Sequence, residues 1–126
     1  MPLAFIILPL LLHQGTRRAL PKTAVTMMNS WIDEHPRHLI GFSERVIRLR
    51  PITREALMFG LAQEILTISP RGDLILGPNR IPRKSVLIDD STPEVRECLE
   101  RSRFVGRWLA DAGTPATVLA SWGIAL

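Results

Sequence analysis

The side chains best suited to chemistry in this sequence are Glu34, His35 and His38, a carboxylate and two imidazoles within five positions. This combination can bind a transition metal such as zinc, which takes three or four protein ligands. Pro36, however, interrupts the helical geometry that would direct both imidazoles at one ion, and the remaining histidine, His13, is distant in the sequence. The spacing therefore predicts no metal site.

No other set of residues in the chain has the pattern of an active site. The sequence contains no GxxxxGK[ST] phosphate-binding loop, no GxSxG turn, no HExxH motif and no tyrosine. The single cysteine, Cys98, can form no disulfide within the chain, and its helical position indicates a packed thiol rather than a nucleophile. We therefore expect a protein that is not an enzyme and holds no cofactor, in a reducing, cytoplasmic compartment.

The charge balance permits contact with nucleic acid without requiring it. Sixteen Lys and Arg against twelve Asp and Glu give a formal charge of +4. Two interpretations carry about equal weight: contacts with DNA phosphates, or a solvated face whose arginines pair with Glu44, Glu55 or the acids of a partner. The predicted DNA-backbone contacts are Arg45, Arg48, Arg50, Arg54, Arg71, Arg80, Arg83 and Lys84.

The chain is organised around residues 50–77, where the hydrophobic period changes. Apolar residues at helical spacing predict a helix over residues 53–65, with Thr53 as its cap, while Pro51 ends a separate short helix capped by Ser43. Two apolar runs, 66–68 and 74–76, joined by a turn containing Gly72, predict a β-hairpin. The predicted fold is mostly α with a small β-hairpin wing, a winged helix-turn-helix-like single domain over residues 1–126.

Both ends of the chain are apolar. The first twelve residues, interrupted by Pro9, are too short for a membrane-spanning helix of about 20 residues, and they lack the basic leader of a signal peptide. They form either a buried first element, which we favour, or a surface covered by a partner. Further helices are predicted over residues 21–34, 93–112 and 116–122. Because exposed ends are normally polar, the apolar ends indicate a protein partner, with a predicted interface of Phe5, Leu10, Leu11, Trp108, Trp122 and Ile124.

Three stretches together resemble a known family over nearly the whole chain. They read AFIILPLLLHQGTRRALPKT, then LIGFSERVIRLRPITREALMFGL, then STPEVRECLERSRFVGRWLADAGTPATVLASWGI. This order resembles the middle component of bacterial three-component ABC systems. The resemblance implies a winged-helix-like adaptor that docks on an SMC-like or RecN-like ABC ATPase beside a third component, in Lamassu-like defence against phage and plasmids. It implies no catalytic residues. The family pattern includes another helical segment before LPLLLH, so either the start is short or an element has been lost.

The sequence is compatible with two functions. The first is the adaptor subunit, which predicts protein-binding surfaces, with a homodimer as a further alternative. The second is a stand-alone winged-helix DNA-binding transcriptional regulator, which predicts salt-dependent DNA affinity. The predicted recognition helix offers only Arg54, Glu55 and Gln63 as polar readers of base edges, which weakens sequence-specific reading but leaves backbone binding open.

Overall fold

The computed structural model describes residues 2–81 and 91–124. Within those residues the protein is mostly helical and carries one two-stranded antiparallel hairpin, as the sequence predicted. The helices are α1 Ala4–Leu12, α2 Gln14–Ala19, α3 Met28–Glu34, α4 Phe42–Ala62, α5 Pro93–Ala110 and α6 Pro115–Ser121, with a 3₁₀ turn at Pro36–Leu39 and strands β1 Leu66–Ile68 and β2 Leu74–Leu76.

The apolar start of the chain forms α1, and most of this helix is internal. Ile6, Pro9, Leu10 and Leu11 are buried, and α1 packs against α2, α4 and α5. This confirms the favoured interpretation of a buried first element. Nowhere in the part of the chain that the structure describes is a helix both long and apolar enough to cross a membrane.

Only the second half of the helix predicted over residues 21–34 is helical, since α3 begins at Met28. Leu20 is extended, with φ −57° and ψ 148°, as the residue before a proline prefers. The loop that follows is held by side chains of α5, since the Arg101 guanidinium donates to the Pro21 carbonyl and the indole of Trp108 donates to the Thr26 carbonyl at 2.8 Å. These tertiary contacts replace the first turns of the predicted helix.

The centre of the core is a cluster of the three tryptophans of the chain, Trp31, Trp108 and Trp122. Trp31 and Trp108 meet edge to face with ring centroids 5.6 Å apart, and Trp108 and Trp122 do so at 6.3 Å. Such geometry places the positive edge of one ring against the negative face of the other. Phe42, at the start of α4, lies 4.9 Å from Trp122, so the cluster joins α3, α4, α5 and α6.

Hydroxyl caps begin the last two helices, both of which the sequence predicted. Thr92 accepts a hydrogen bond from the Val95 amide before Pro93, and Thr114 accepts one from the Thr117 amide before Pro115. Each cap satisfies an amide that the first turn of a helix leaves without a partner.

The expectation of two helices separated at Pro51 was wrong, because α4 runs unbroken through that residue for 21 residues. The fixed φ of proline fits a helix, and the cost of its missing amide falls on the Ile47 carbonyl. Ile47 lies on the exposed side of α4, where water can take the place of that amide. Thr53 is consequently not a cap but a buried residue on the inner face of α4, and Ser43 is not a cap because the helix already begins at Phe42.

We predict that Leu10→Ala lowers the free energy of unfolding of the isolated chain by about 2–5 kcal/mol, because it leaves a cavity in a packed core. Leu10 is fully buried, whereas Leu12 on the same helix is 51% exposed. Leu12→Ala is therefore the matched control, with an expected change within about 0.5 kcal/mol. Urea denaturation followed by circular dichroism measures both, and equal effects of the two substitutions would contradict this assignment of the core.

Candidate functional site

The residues predicted to form the partner interface lie mostly inside the chain. Leu10, Leu11, Trp108 and Trp122 are buried in the core, and Ile124 packs against it. The apolar character of both ends is thus largely accounted for by burial of α1 and α6 within the fold, and Phe5 is half-buried. A hydrophobic surface for a partner can therefore be formed only by the apolar side chains that the fold leaves exposed.

Those side chains concentrate on α4 and the hairpin behind it. We call residues 54–81 the arm. All of its residues are described, and the only buried ones are Gly60 and Gly77. No arm residue belongs to the hydrophobic core. The large apolar side chains that are exposed on the arm or on α4 just before it are Ile47, Ile52, Met58, Phe59, Ile68, Ile75, Leu76 and Ile81.

The hairpin of the arm has the two predicted strands, paired antiparallel. Leu66 pairs with Leu76, Thr67 with Ile75, and Ile68 with Leu74. At the tip, Gly72 has φ 85°, a value that favours glycine, and its amide donates to the Ser69 carbonyl at 2.8 Å. Directly opposed residues share one face of a sheet. Leu66, Ile68, Leu74 and Leu76 therefore form one apolar face, on which Ile68 and Leu76 remain exposed.

Close backbone approaches fix the hairpin to the end of α4. A Cβ at Gly60 would lie 2.8 Å from Leu66 Cδ1, and a Cβ at Gly77 would lie 2.1 Å from the Glu64 carbonyl oxygen. The Gly77 amide donates to the Ile65 carbonyl at 2.8 Å, and Glu64 itself takes a positive φ of 57°. The arm is thus positioned by backbone hydrogen bonds and by the half-buried Leu66 side chain packed on Gly60, while none of its residues joins the hydrophobic core.

The charge of the arm is balanced. Arg54, Arg71 and Arg80 stand against Glu55, Glu64 and Asp73, and there is no lysine or histidine, so the formal charge of residues 54–81 is zero. Surfaces that bind nucleic acid rely on excess positive charge. An apolar surface without net charge is instead typical of contacts with protein.

The predicted DNA-contacting arginines do not form one group. Because α4 is continuous, residues advance by about 100° around it. Arg45 and Arg48 therefore share one side of the helix, and Arg50 and Arg54 lie on nearly the opposite side. Arg71 is exposed at the hairpin tip, and Arg80 is exposed beyond β2. Arg83 and Lys84 lie outside the described residues.

Arg45 and Arg48 instead line a cavity of about 240 Å³ between α1 and α4, together with Pro9, Leu12, His13 and Leu49. The Nε and Nη2 atoms of Arg45 are buried and have no hydrogen-bond partner among the described residues. Burial, and then the charge of Arg48, lowers the pKa of Arg45. The guanidinium lies 5.5 Å from the centre of the Phe42 ring, a cation–π distance. The sequence predicted an exposed arginine at position 45. Its partial burial beside α1 depends on tertiary packing, which the sequence pattern does not show.

A short hydrogen-bonded chain connects His13 at this cavity to the buried His38. His13 Nδ1 accepts from the Thr16 amide at 3.1 Å and lies 2.8 Å from Thr16 Oγ1, which in turn lies 3.2 Å from His38 Nδ1. Because His13 Nδ1 already accepts, the Thr16 hydroxyl donates to it and accepts from His38 Nδ1–H. This arrangement leaves His38 Nε2 as a buried acceptor that has no described partner.

In the cluster of Glu34, His35 and His38, both histidines make structural contacts. His35 Nδ1 donates to the Trp31 carbonyl at 2.9 Å, and the rings of His35 and His38 both stack on Trp31, with centroids 4.6 and 5.3 Å away. The described residues contain no group of three or more side chains that could hold a metal ion. Cys98 is half-buried, with its thiol 3.6 Å from the Leu11 carbonyl.

The fold and these surfaces define a class: a small, mostly helical protein whose aromatic core supports a projecting helix–hairpin arm with exposed apolar side chains. The chain belongs to the family described as ABC-three component (ABC-3C) system Middle Component 3 (MC3), which matches residues 1–126. It is therefore a middle component, and the other components of its system are its partners. Neither a curated protein nor a solved structure shows significant similarity to the chain.

We predict that Gly77→Ala detaches the hairpin while leaving the core folded, because the new methyl group would overlap the Glu64 carbonyl. Hydrogen exchange of the hairpin amides should accelerate by about tenfold or more, whereas protection in α5 should persist. Gly106→Ala is the control, since a Cβ there meets nothing within 4 Å. Unchanged exchange in the hairpin, or collapse of the whole chain, would contradict this description of the arm.

We predict that the chain loses stability as the pH falls below about 6.5. Burial, followed by the charges of Arg37, His35, His13 and Arg45, lowers the pKa of His38, and burial and Arg45 lower that of His13. The unfolded state therefore binds more protons over this range, and stability rises with pH. A further loss is expected below about pH 4.5, because the hydrogen bond from Arg17, offset in part by burial and reinforced by Arg18, lowers the pKa of Glu97.

His38→Asn tests the first of these losses, because an amide can still donate to Thr16 Oγ1 without titrating. Urea denaturation at pH 7.5, 6.5 and 5.5 should show a shallower decline in the free energy of unfolding for this variant. An equally steep decline in both proteins would show that His38 is not responsible.

Proposed function

We propose that this middle component is a non-catalytic adaptor that docks through its arm on the ABC ATPase of its system. The exposed apolar surface of the arm, which carries no net charge, is the observation that supports this proposal. Large exposed apolar side chains cost solubility unless a partner covers them. Membership in a three-component system supplies such partners.

The position of Met58 and Phe59 on a helix anchored in the core supports the same role. Met58 and Phe59 are 68% and 63% exposed, yet they lie near the end of a 21-residue helix whose first half is anchored in the core. A pre-positioned apolar surface binds with little loss of conformational entropy. Methionine and aromatic residues are also enriched in protein interfaces.

The remaining parts of the proposal extend the resemblance in the sequence. The hairpin corresponds to the wing of a winged-helix-like module, the ATPase is of the SMC or RecN type, and the system acts in the cytoplasm in Lamassu-like defence against phage and plasmids. Arg50, which lies opposite Phe59 around α4, and Arg71 at the hairpin tip leave room for DNA-backbone contacts by an adaptor already bound to its ATPase.

We predict that Phe59→Ser weakens binding to the ATPase by about 30-fold or more, the range of an interface hot spot. The same result is expected for Met58→Ser. Val25→Ser is the matched control, because Val25 is 88% exposed but lies outside the arm. The measurement is co-purification of the tagged chain with the ATPase of its own system, followed by titration calorimetry.

Two outcomes would overturn the proposal. One is a chain that recovers no ATPase but binds DNA at low salt, which favours the stand-alone regulator. The other is a complex whose affinity is unaffected by both arm substitutions, which places the contact elsewhere.

A further inference from the structure

The cavity between α1 and α4 contains a cation that the fold leaves unpaired. Among the residues that the structure describes, no acid or carbonyl accepts from Arg45, and its Nε and Nη2 atoms are buried. Buried donors without partners are costly, and a buried charge is normally paired. None of the six residues lining the cavity is acidic, and Arg48 adds a second positive charge. The cavity therefore has the charge of a receptor for an anion.

The geometry of the unpaired donors favours a carboxylate. Nε and Nη2 form the side-on edge of a guanidinium, whose two parallel N–H groups match the two oxygens of one carboxylate. His13 also lines the cavity, and its hydrogen bond from Thr16 places the proton of its neutral ring on Nε2, which makes it a further donor. The other lining residues, Pro9, Leu12 and Leu49, are apolar.

The size of the cavity and the burial of the Arg45 donors favour a side chain over a DNA phosphate or a free metabolite. Its 240 Å³ is below the range of about 300–1,000 Å³ found for small-molecule sites. A DNA phosphate carries a sugar on both sides and cannot readily reach buried donors, whereas the carboxylate of Asp or Glu ends a flexible chain. An aliphatic neighbour of that acid can contact the apolar walls.

We propose that this cavity receives an Asp or Glu side chain, flanked by an aliphatic residue, from the partner component that the middle component docks on. The identity of the partner rests on the function proposed above, but the chemistry of the cavity does not. The site is continuous with the arm, since Arg45, Ile52 and Phe59 recur at seven-residue spacing along one side of α4.

The chemistry of the site is tested with the full chain and sodium butyrate as the probe. Butyrate at constant ionic strength should shift the NMR resonances of the Arg45 Nε–H group and the Leu49 amide in a saturable manner, with butyramide as the uncharged control. Arg45→Gln should abolish the shift, and Arg45→Lys should not restore it, because lysine lacks the paired donors. Absence of a saturable shift would overturn the proposal, and tighter binding of inorganic phosphate would reassign the site to phosphate groups.

The role in docking is tested on the complex with the ATPase. Arg45→Gln should weaken it by about tenfold or more, while Arg107→Gln, an exposed arginine on α5, should not. Arg45→Met should leave the thermal stability of the isolated chain unchanged or higher, which separates a binding role from a structural one. If Arg45→Gln binds the ATPase as tightly as the wild type does, only the inference about the cavity is overturned. If the chain binds butyrate but no ATPase, the adaptor proposal is overturned.

Discussion

The hydrogen bonding of the three tryptophans constrains the rest of the fold. Each indole N–H is buried with an acceptor: Trp31 donates to the Ala19 carbonyl at 3.1 Å, Trp108 to the Thr26 carbonyl at 2.8 Å, and Trp122 to the Met28 sulfur at 3.3 Å. An unmet donor in such a place costs about 1–3 kcal/mol. The segment from α2 to α3 must therefore take one path across α5 and α6, which creates the surface on which α1 and the start of α4 pack.

That core leaves α4 with two different halves. Phe42 and Val46 are buried in its first part, whereas none of residues 47–81, all of which the structure describes, belongs to the hydrophobic core. The second half is stabilised by helix propagation from the anchored part, by the Leu66 side chain packed on Gly60, and by the close approach of Gly77 to the Glu64 carbonyl. A fold that served only its own stability would have little reason to extend an apolar helix into water. The exposure of the arm is better explained by a surface kept for a partner.

The sequence predicted those features that are coded locally. The helices that follow Thr92 and Thr114 and the two strands around Gly72 were predicted close to their observed bounds, because each depends on neighbours a few residues away. Features that depend on tertiary packing could not be predicted. Pro51 ends a helix by local rules, but the packing of α4 against α1 favours its continuation. Likewise, the apolar ends suggested an interface because the sequence does not show which apolar residues cover each other.

The continuity of α4 also decides how its functional side chains are related. Arg45, Ile52 and Phe59 are separated by seven residues, a spacing that drifts by only about 20° per repeat on a straight helix. They span fourteen residues, or about 21 Å at 1.5 Å per residue. Two helices broken at Pro51 would have had no such relation. One stripe thus joins an unpaired cation to exposed apolar side chains, a pattern that suits an extended segment of a partner protein, while Arg50 and Arg54 face away from it.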